Sequence, residues 1–144
     1  MQKPPRLNRR VRFDQVRVAK SPNGLGVFAT SPIQAFQAVG QIHGKIMPAG
    51  YRSEYCMGFG DGGLEPDEPY RRVNHSCDPN CELIEWNIPN PDTGEIVREL
   101  WLQTIRPVAL DEELTIDYAW ESKAAIVCHC GSPKCRGWIV KKDE

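Results

Sequence analysis

Residues 71–80 read Arg71-Arg72-Val73-Asn74-His75-Ser76-Cys77-Asp78-Pro79-Asn80, and the cysteine within them decides how the rest of the chain is understood. Far downstream, Cys128-His129-Cys130 is followed by Cys135. Three thiols this close, in a Cys- and Gly-rich segment (128–138) too short to hold itself together without a staple, suit a tetrahedral metal site. One ligand is missing from that set. Cys77 is the best candidate, because a remote ligand would pin the tail to the body of the domain. The expected product is a structural four-cysteine zinc site, one ion, with no coordination position left open for catalysis. Spacing alone leaves a disulfide pair or free buried cysteines as alternatives. His129 is disfavoured as a ligand, because in an extended Cys-x-Cys its side chain points away from its neighbours'.

Outward from this stretch the chain reads as mainly β. Twelve glycines and twelve prolines are spread along it, so no helical periodicity runs far, and short segments of strand-like composition recur between turn signals. The candidate strands are Gln15–Ala19, Gly26–Ala29, Gln41–Met47, Glu82–Trp86, Ile96–Thr104 and Glu113–Ile116. Asn90-Pro91-Asp92-Thr93-Gly94 separates two of these and predicts a long hairpin. Gly58–Pro69, polar and rich in Gly, Asp, Glu and Pro, predicts a loop or insertion. There is no internal repeat and no low-complexity tract.

At 144 residues the chain is sized for one domain. Its 40% apolar and 26% charged residues are those of an ordinary globular protein. The longest apolar run, Ala124–Cys128, is far short of the roughly 18 residues a membrane helix needs. Met1–Arg12 is basic and proline-rich with no apolar core of the kind secretion signals carry. These features predict an intracellular protein, cytoplasmic in a bacterium or nuclear and chromatin-associated in a eukaryote. In that setting the six cysteines, at 56, 77, 81, 128, 130 and 135, are not a secreted disulfide framework. Net charge is −1, but residues 1–20 carry seven Lys/Arg against one acid and residues 61–121 fifteen acids against four bases. The acidic middle either attracts a basic substrate or merely solvates loops and strand faces. The basic arm reads as a terminus and not as a nucleic-acid contact.

Four stretches, in order, carry a resemblance. Arg71 to Asn80 and Glu112-Glu113-Leu114-Thr115-Ile116-Asp117-Tyr118 resemble the two signatures of the SET family of protein lysine methyltransferases. Ser21-Pro22-Asn23-Gly24-Leu25-Gly26-Val27-Phe28-Ala29 resembles that family's Gly-x-Gly opening. Cys128-His129-Cys130-Gly131-Ser132-Pro133-Lys134-Cys135-Arg136-Gly137 resembles its post-SET tail. The resemblance implies the SET (β-clip) fold: several small sheets, and a pseudoknot where the Asn74–Cys77 region meets the C-terminal part of the chain. The implied layout is a basic arm at 1–13, a SET domain at 14–121 and a post-SET zinc-binding segment at 122–144. It is similar to small stand-alone, bacterial-type members.

The implied reaction moves a methyl group from S-adenosylmethionine to a lysine ε-amine of a basic protein, leaving S-adenosylhomocysteine. A free lysine, with a pKa near 10.4, is only about one part in 10³ neutral at pH 7, so a dry channel beside a cation must lower it. Placement of the reacting atoms supplies much of the remaining rate. By resemblance Tyr118 is the catalytic tyrosine. Gly24, Leu25, Gly26, Arg71, Asn74, His75, Tyr118 and Trp138 form the cofactor site, with the glycines letting backbone approach the ligand closely. Without the motif, Tyr118 reads as a strand-end core aromatic, His75 as a buried hydrogen-bonded histidine and Trp138 as a surface cap.

Two positions depart from the family pattern. Ile42 stands where many members place a channel tyrosine, and Ile116 where they usually place Phe or Tyr. A channel lined by Ile116 offers room and no hydroxyl, which predicts di- or trimethylation. The short stretch between Met47 and Tyr70 predicts an open substrate groove. The expected state is a monomer or weak dimer without membrane or nucleic-acid contact. A catalytically silent module that holds cofactor and basic peptides is the second reading, and Ile42 is the feature that favours it. A zinc-ribbon-like nucleic-acid binder lacks the basic face it would need.

Overall fold

The computed structural model describes residues 15–22, 24–51, 53, 55–118 and 128–139. The expected arm at 1–13, Asn23, the 121/122 boundary and residues 140–144 lie outside them. The described strands are β1 Val16–Ser21, β2 Gly24–Ala29, β3 Ala38–Ile42, β4 Gly44–Met47, β5 Met57–Phe59, β6 Gly62–Pro66, β7 Asn74–His75, β8 Cys81–Pro89, β9 Ile96–Thr104 and β10 Glu113–Ile116. They form three small sheets, ordered β1-β2-β10-β7, β3-β9-β8 and β4-β6-β5. One 3-10 turn, Tyr70–Arg72, leads into β7. This is the mainly β architecture that the resemblance implied.

Alternation along the strands builds the core. On β9, Leu100, Leu102 and Thr104 are buried at period two and face the same side, as do Leu114 and Ile116 on β10. The four apolar residues among these meet Val27, Val39, Ile42 and Val73 in one main cluster. The β8–β9 hairpin runs from Cys81 opposite Thr104 to Pro89 opposite Ile96, longer on β8 than Glu82–Trp86. Asn90 shapes its turn, its side-chain oxygen accepting the N–H groups of Asp92 and Thr93 at 2.8 and 3.3 Å.

Two expectations are corrected. Gln41–Met47 is not one strand: β3 pairs with β9 and β4 with β6, so the chain changes sheets at His43. Both halves have strand composition, which hides the switch. Gly58–Pro69 is not a loop: β5 and β6 form a hairpin with Phe59 opposite Gly62. Its glycines mark close approach within a strand, since a Cβ on Gly63 would stand 2.6 Å from the Cys56 sulfur.

The site is positioned by β10. It lies antiparallel to β2 and parallel to β7, with Thr115 opposite Asn74 and Ile116 opposite His75. The Ser76 N–H extends this pairing to the Ile116 carbonyl at 2.9 Å. The Asn74–Cys77 region therefore meets the C-terminal part of the chain where the family pattern places its pseudoknot.

Candidate functional site

Asn80, only 2% exposed, clamps that meeting point. Its amide nitrogen donates to the Glu113 carbonyl at 2.8 Å and to Glu112 at 3.0 Å, and its oxygen accepts the Thr115 N–H at 2.9 Å. A buried amide satisfied on both ends fixes the register of the segments it joins.

The Gly-x-Gly strand and the Asn-His step touch through one side chain. The Asn74 amide nitrogen donates to the Leu25 carbonyl at 2.9 Å, to Glu113 at 2.8 Å and to Ser21 at 3.3 Å. Gly26 makes room for this: a Cβ there would collide with the Glu113 carboxylate and stand 3.2 Å from the Asn74 nitrogen. Gly26→Ala is expected to cost about 1–3 kcal/mol through overpacking, read as a lower midpoint of chemical denaturation. An unchanged midpoint would show the close approach to be unimportant. Gly24 is different. Its φ is +108 with nothing near a notional Cβ, so it leaves bare backbone at the start of β2.

Tyr118 lies just past β10, packed against the main core on one side and the cysteine-lined cluster on the other. Its N–H donates to His75 Nδ1 at 3.0 Å and its hydroxyl to the Val73 carbonyl at 2.7 Å. With Nδ1 accepting, the proton of a neutral imidazole sits on Nε2, which lies 3.4 Å from the Cys77 sulfur. Burial lowers the His75 pKa, with Asp117 opposing and Arg136 assisting. Asp117 is itself bound by Arg136 of the tail at 2.9 Å.

Tyr118, Asp117 and Ile116 open onto a cavity of about 300 Å³ whose other walls include Tyr55, Cys56, Met57 and Arg71. Arg71 is placed here, its guanidinium 4.0 Å from the Tyr55 ring centroid and 3.3 Å from Glu65. Ile42, 2% exposed, sits in the main core opposite Leu100 and is not among the residues lining this cavity. Leu25 and Trp138 are exposed, at 42% and 51%. Of the sequence-predicted residues, the structure thus brings Gly26, Leu25 and Asn74 together. It separately joins His75 with Tyr118, and Tyr118 with Ile116 and Arg71. Sequence reading missed Asn80, Asp117 and Arg136 as clamps, although all three lie inside the quoted stretches. It also missed Tyr55 and Cys56, which carry no motif.

The sulfur atoms of Cys77, Cys128, Cys130 and Cys135 all lie within 4.8 Å of one another, and none of the six cysteines is in a disulfide. Cys77 and Cys128 are 3.8 Å apart. A tetrahedral ion with metal–sulfur bonds of about 2.3 Å requires sulfur spacings of about 3.8 Å, so the donor set fits a thiophilic cation. Burial raises the Cys77 and Cys128 thiols. It acts the same way at Cys130, but hydrogen bonds outweigh it there and lower that thiol to about 6. His129 is exposed and outside the group.

The sheets, the clamped β7–β10 meeting and the cysteine tail define a protein class, and the comparison with known families agrees: the chain belongs to the SET domain family, whose model matches residues 24–119. It is 35% identical over 98 residues to histone-lysine N-methyltransferase ash1 of Drosophila melanogaster, covering 62% of this chain and 4% of that protein. It is 38% identical over 71 residues to histone-lysine N-methyltransferase SETD2 of Homo sapiens, covering 48% and 2%. A histone-lysine N-methyltransferase, H3 lysine-36 specific, of Cryptococcus neoformans is 34% identical over 95 residues, covering 65% and 10%. The chain therefore spans between 2% and 10% of the length of these relatives. Among the described residues no helix is long and apolar enough to cross a membrane.

Proposed function

We propose that this chain is a protein-lysine N-methyltransferase that takes its methyl group from S-adenosylmethionine and acts on a basic protein such as a histone. The observation that carries the reading is Tyr118: it faces a 300 Å³ cavity with Ile116, while its backbone is held by His75 next to the Asn74–Leu25 contact. Bound S-adenosylmethionine supplies an electrophilic methyl group on a sulfonium cation. Gly24, Leu25, Gly26, Asn74 and His75 are the residues that would hold it, with Trp138 from the tail. The fit rests on bare backbone at Gly24 and on Asn74 Oδ1, which has no partner among the described residues and can accept from an ammonium group.

The chain's own part in the chemistry follows from the cavity. Ile116, Val73 and Met57 give the cavity an apolar part of its wall and Arg71 lies on it too, both of which disfavour a charged lysine, while the Asp117 carboxylate on the same wall is paired with Arg136. The Tyr118 hydroxyl, fixed by the Val73 carbonyl, stands where it can orient a neutral amine through an oxygen lone pair. Arg71, assigned by resemblance to the cofactor, fits the substrate cavity better. The four cysteines would hold one structural zinc, which would keep Arg136 on Asp117 and so brace the residue next to Tyr118.

Because Ile116 adds no hydroxyl to the cavity, we expect di- and trimethyl-lysine to accumulate with time. Product state is read by mass spectrometry of a histone substrate through full turnover. Monomethyl-lysine as the sole end product would contradict the role given to Ile116.

A further inference from the structure

Part of the wall of the Tyr118 cavity, beside Met57 and Gly58 of β5, is not built by a regular strand. Tyr55 and Cys56 lie between β4 and β5, in a stretch shaped by side-chain hydrogen bonds. The Ser53 hydroxyl oxygen accepts the N–H groups of both Tyr55 and Cys56 at 3.1 Å. That hydroxyl donates to Glu65 Oε1 at 2.5 Å, and the Tyr51 hydroxyl donates to the same oxygen at 3.2 Å. The other carboxylate oxygen of Glu65 takes Arg71 at 3.3 Å, and the Arg71 guanidinium covers the Tyr55 ring. Every connection ends on one side chain of β6, only 19% exposed. A carboxylate fixed on a paired strand is a rigid anchor, and charged acceptors make the stronger hydrogen bonds.

We infer that Glu65 is a positioning residue for the protein substrate: acting through Ser53 and Arg71, it sets the cavity wall made by Tyr55 and Cys56. The inference deepens the methyltransferase reading and rests on it for its kinetic consequence. Glu65 touches neither the Gly24–Gly26 strand nor Asn74, so its loss acts on the substrate side alone. Holding a site to within an ångström is worth up to about a hundredfold in rate, and a loosened wall first weakens capture of the peptide.

The test compares Glu65→Ala, Glu65→Gln and Ser53→Ala with the unmodified chain, using a basic lysine peptide and S-adenosylmethionine. For Glu65→Ala and Ser53→Ala the peptide KM is expected to rise on the order of tenfold, with cofactor Kd by calorimetry unchanged. Glu65→Gln keeps an acceptor for Ser53 and loses the charge on Arg71, so its effect falls between. An unchanged peptide KM in Glu65→Ala, or an equal rise in peptide KM and cofactor Kd, would overturn the assignment. A second readout needs no activity, so it separates this inference from the methyltransferase reading. Cys56 is a reporter in the wall, and its iodoacetamide alkylation, followed by peptide mapping, is expected to run several-fold faster in Ser53→Ala. If the unmodified chain transfers no methyl group, that rate alone decides: faster alkylation supports the anchored wall, and an equal rate refutes it.

Discussion

Phenylalanine in place of Tyr118 is expected to cut lysine methylation by about 10²-fold or more, with fold and metal content unchanged. The ring packs against both apolar clusters, and phenylalanine keeps that packing. What disappears is the hydroxyl held at 2.7 Å from the Val73 carbonyl. Removing one preorganised polar group from an active site costs about 10²–10³ in rate, far more than the roughly 1 kcal/mol that a single hydrogen bond contributes to stability. Single-turnover methyl transfer, measured beside the thermal midpoint, separates the two. An undiminished rate would remove Tyr118 from the mechanism.

The second large effect is loss of metal. Cys77→Ser removes the one ligand that belongs to the body of the domain, and chelation removes the ion itself. Structural zinc in small cysteine sites supplies about 10–16 kcal/mol of apparent binding energy. The described tail, 128–139, offers little to replace it: Ile139 is its buried aliphatic residue. Metal analysis is expected to give about one zinc per chain, falling toward zero in Cys77→Ser. Proteolysis should then cut the tail first. Methyl transfer should fall with it, because Arg136 no longer reaches Asp117. Alkylation gives an internal control. Cys81, 1% exposed and pushed up to about 12 by burial, should stay unmodified while Cys128, Cys130 and Cys135 become reactive. Undiminished methyl transfer after metal removal would contradict the bracing role given to the tail, and full cofactor affinity would contradict the place given to Trp138.

The four-cysteine group was legible in the sequence because thiol spacing and the weakness of a short tail are local facts. The gathering of Cys77 with residues some fifty positions away was an argument about what such a tail needs, and the sulfur positions match it. The strands β2, β9 and β10 were legible because each carries aliphatic, aromatic or β-branched residues between turn signals. The β5–β6 hairpin was not, because Gly62 and Gly63 are there for clearance and mimic loop composition. The sheet change at His43 was hidden for a related reason, since pairing partners are a property of the fold and not of the strand's own residues. In the site, the motif residues were readable as types. Their partners were not: nothing in the sequence says that Glu65 gathers Ser53 and Arg71, or that Ile42 turns into the core while Ile116 faces the cavity.

In the proposed function the Tyr118 cavity presents a lysine amine to a methyl donor. The most direct measurement of this is peptide mapping by mass spectrometry after a histone mixture is incubated with S-adenosylmethionine and either the unmodified chain or Tyr118→Phe. Methyl groups are expected on lysine ε-amines with the unmodified chain and close to none with the variant. Cofactor binding without any lysine methylation across the mixture, or equal methylation by both proteins, would contradict it.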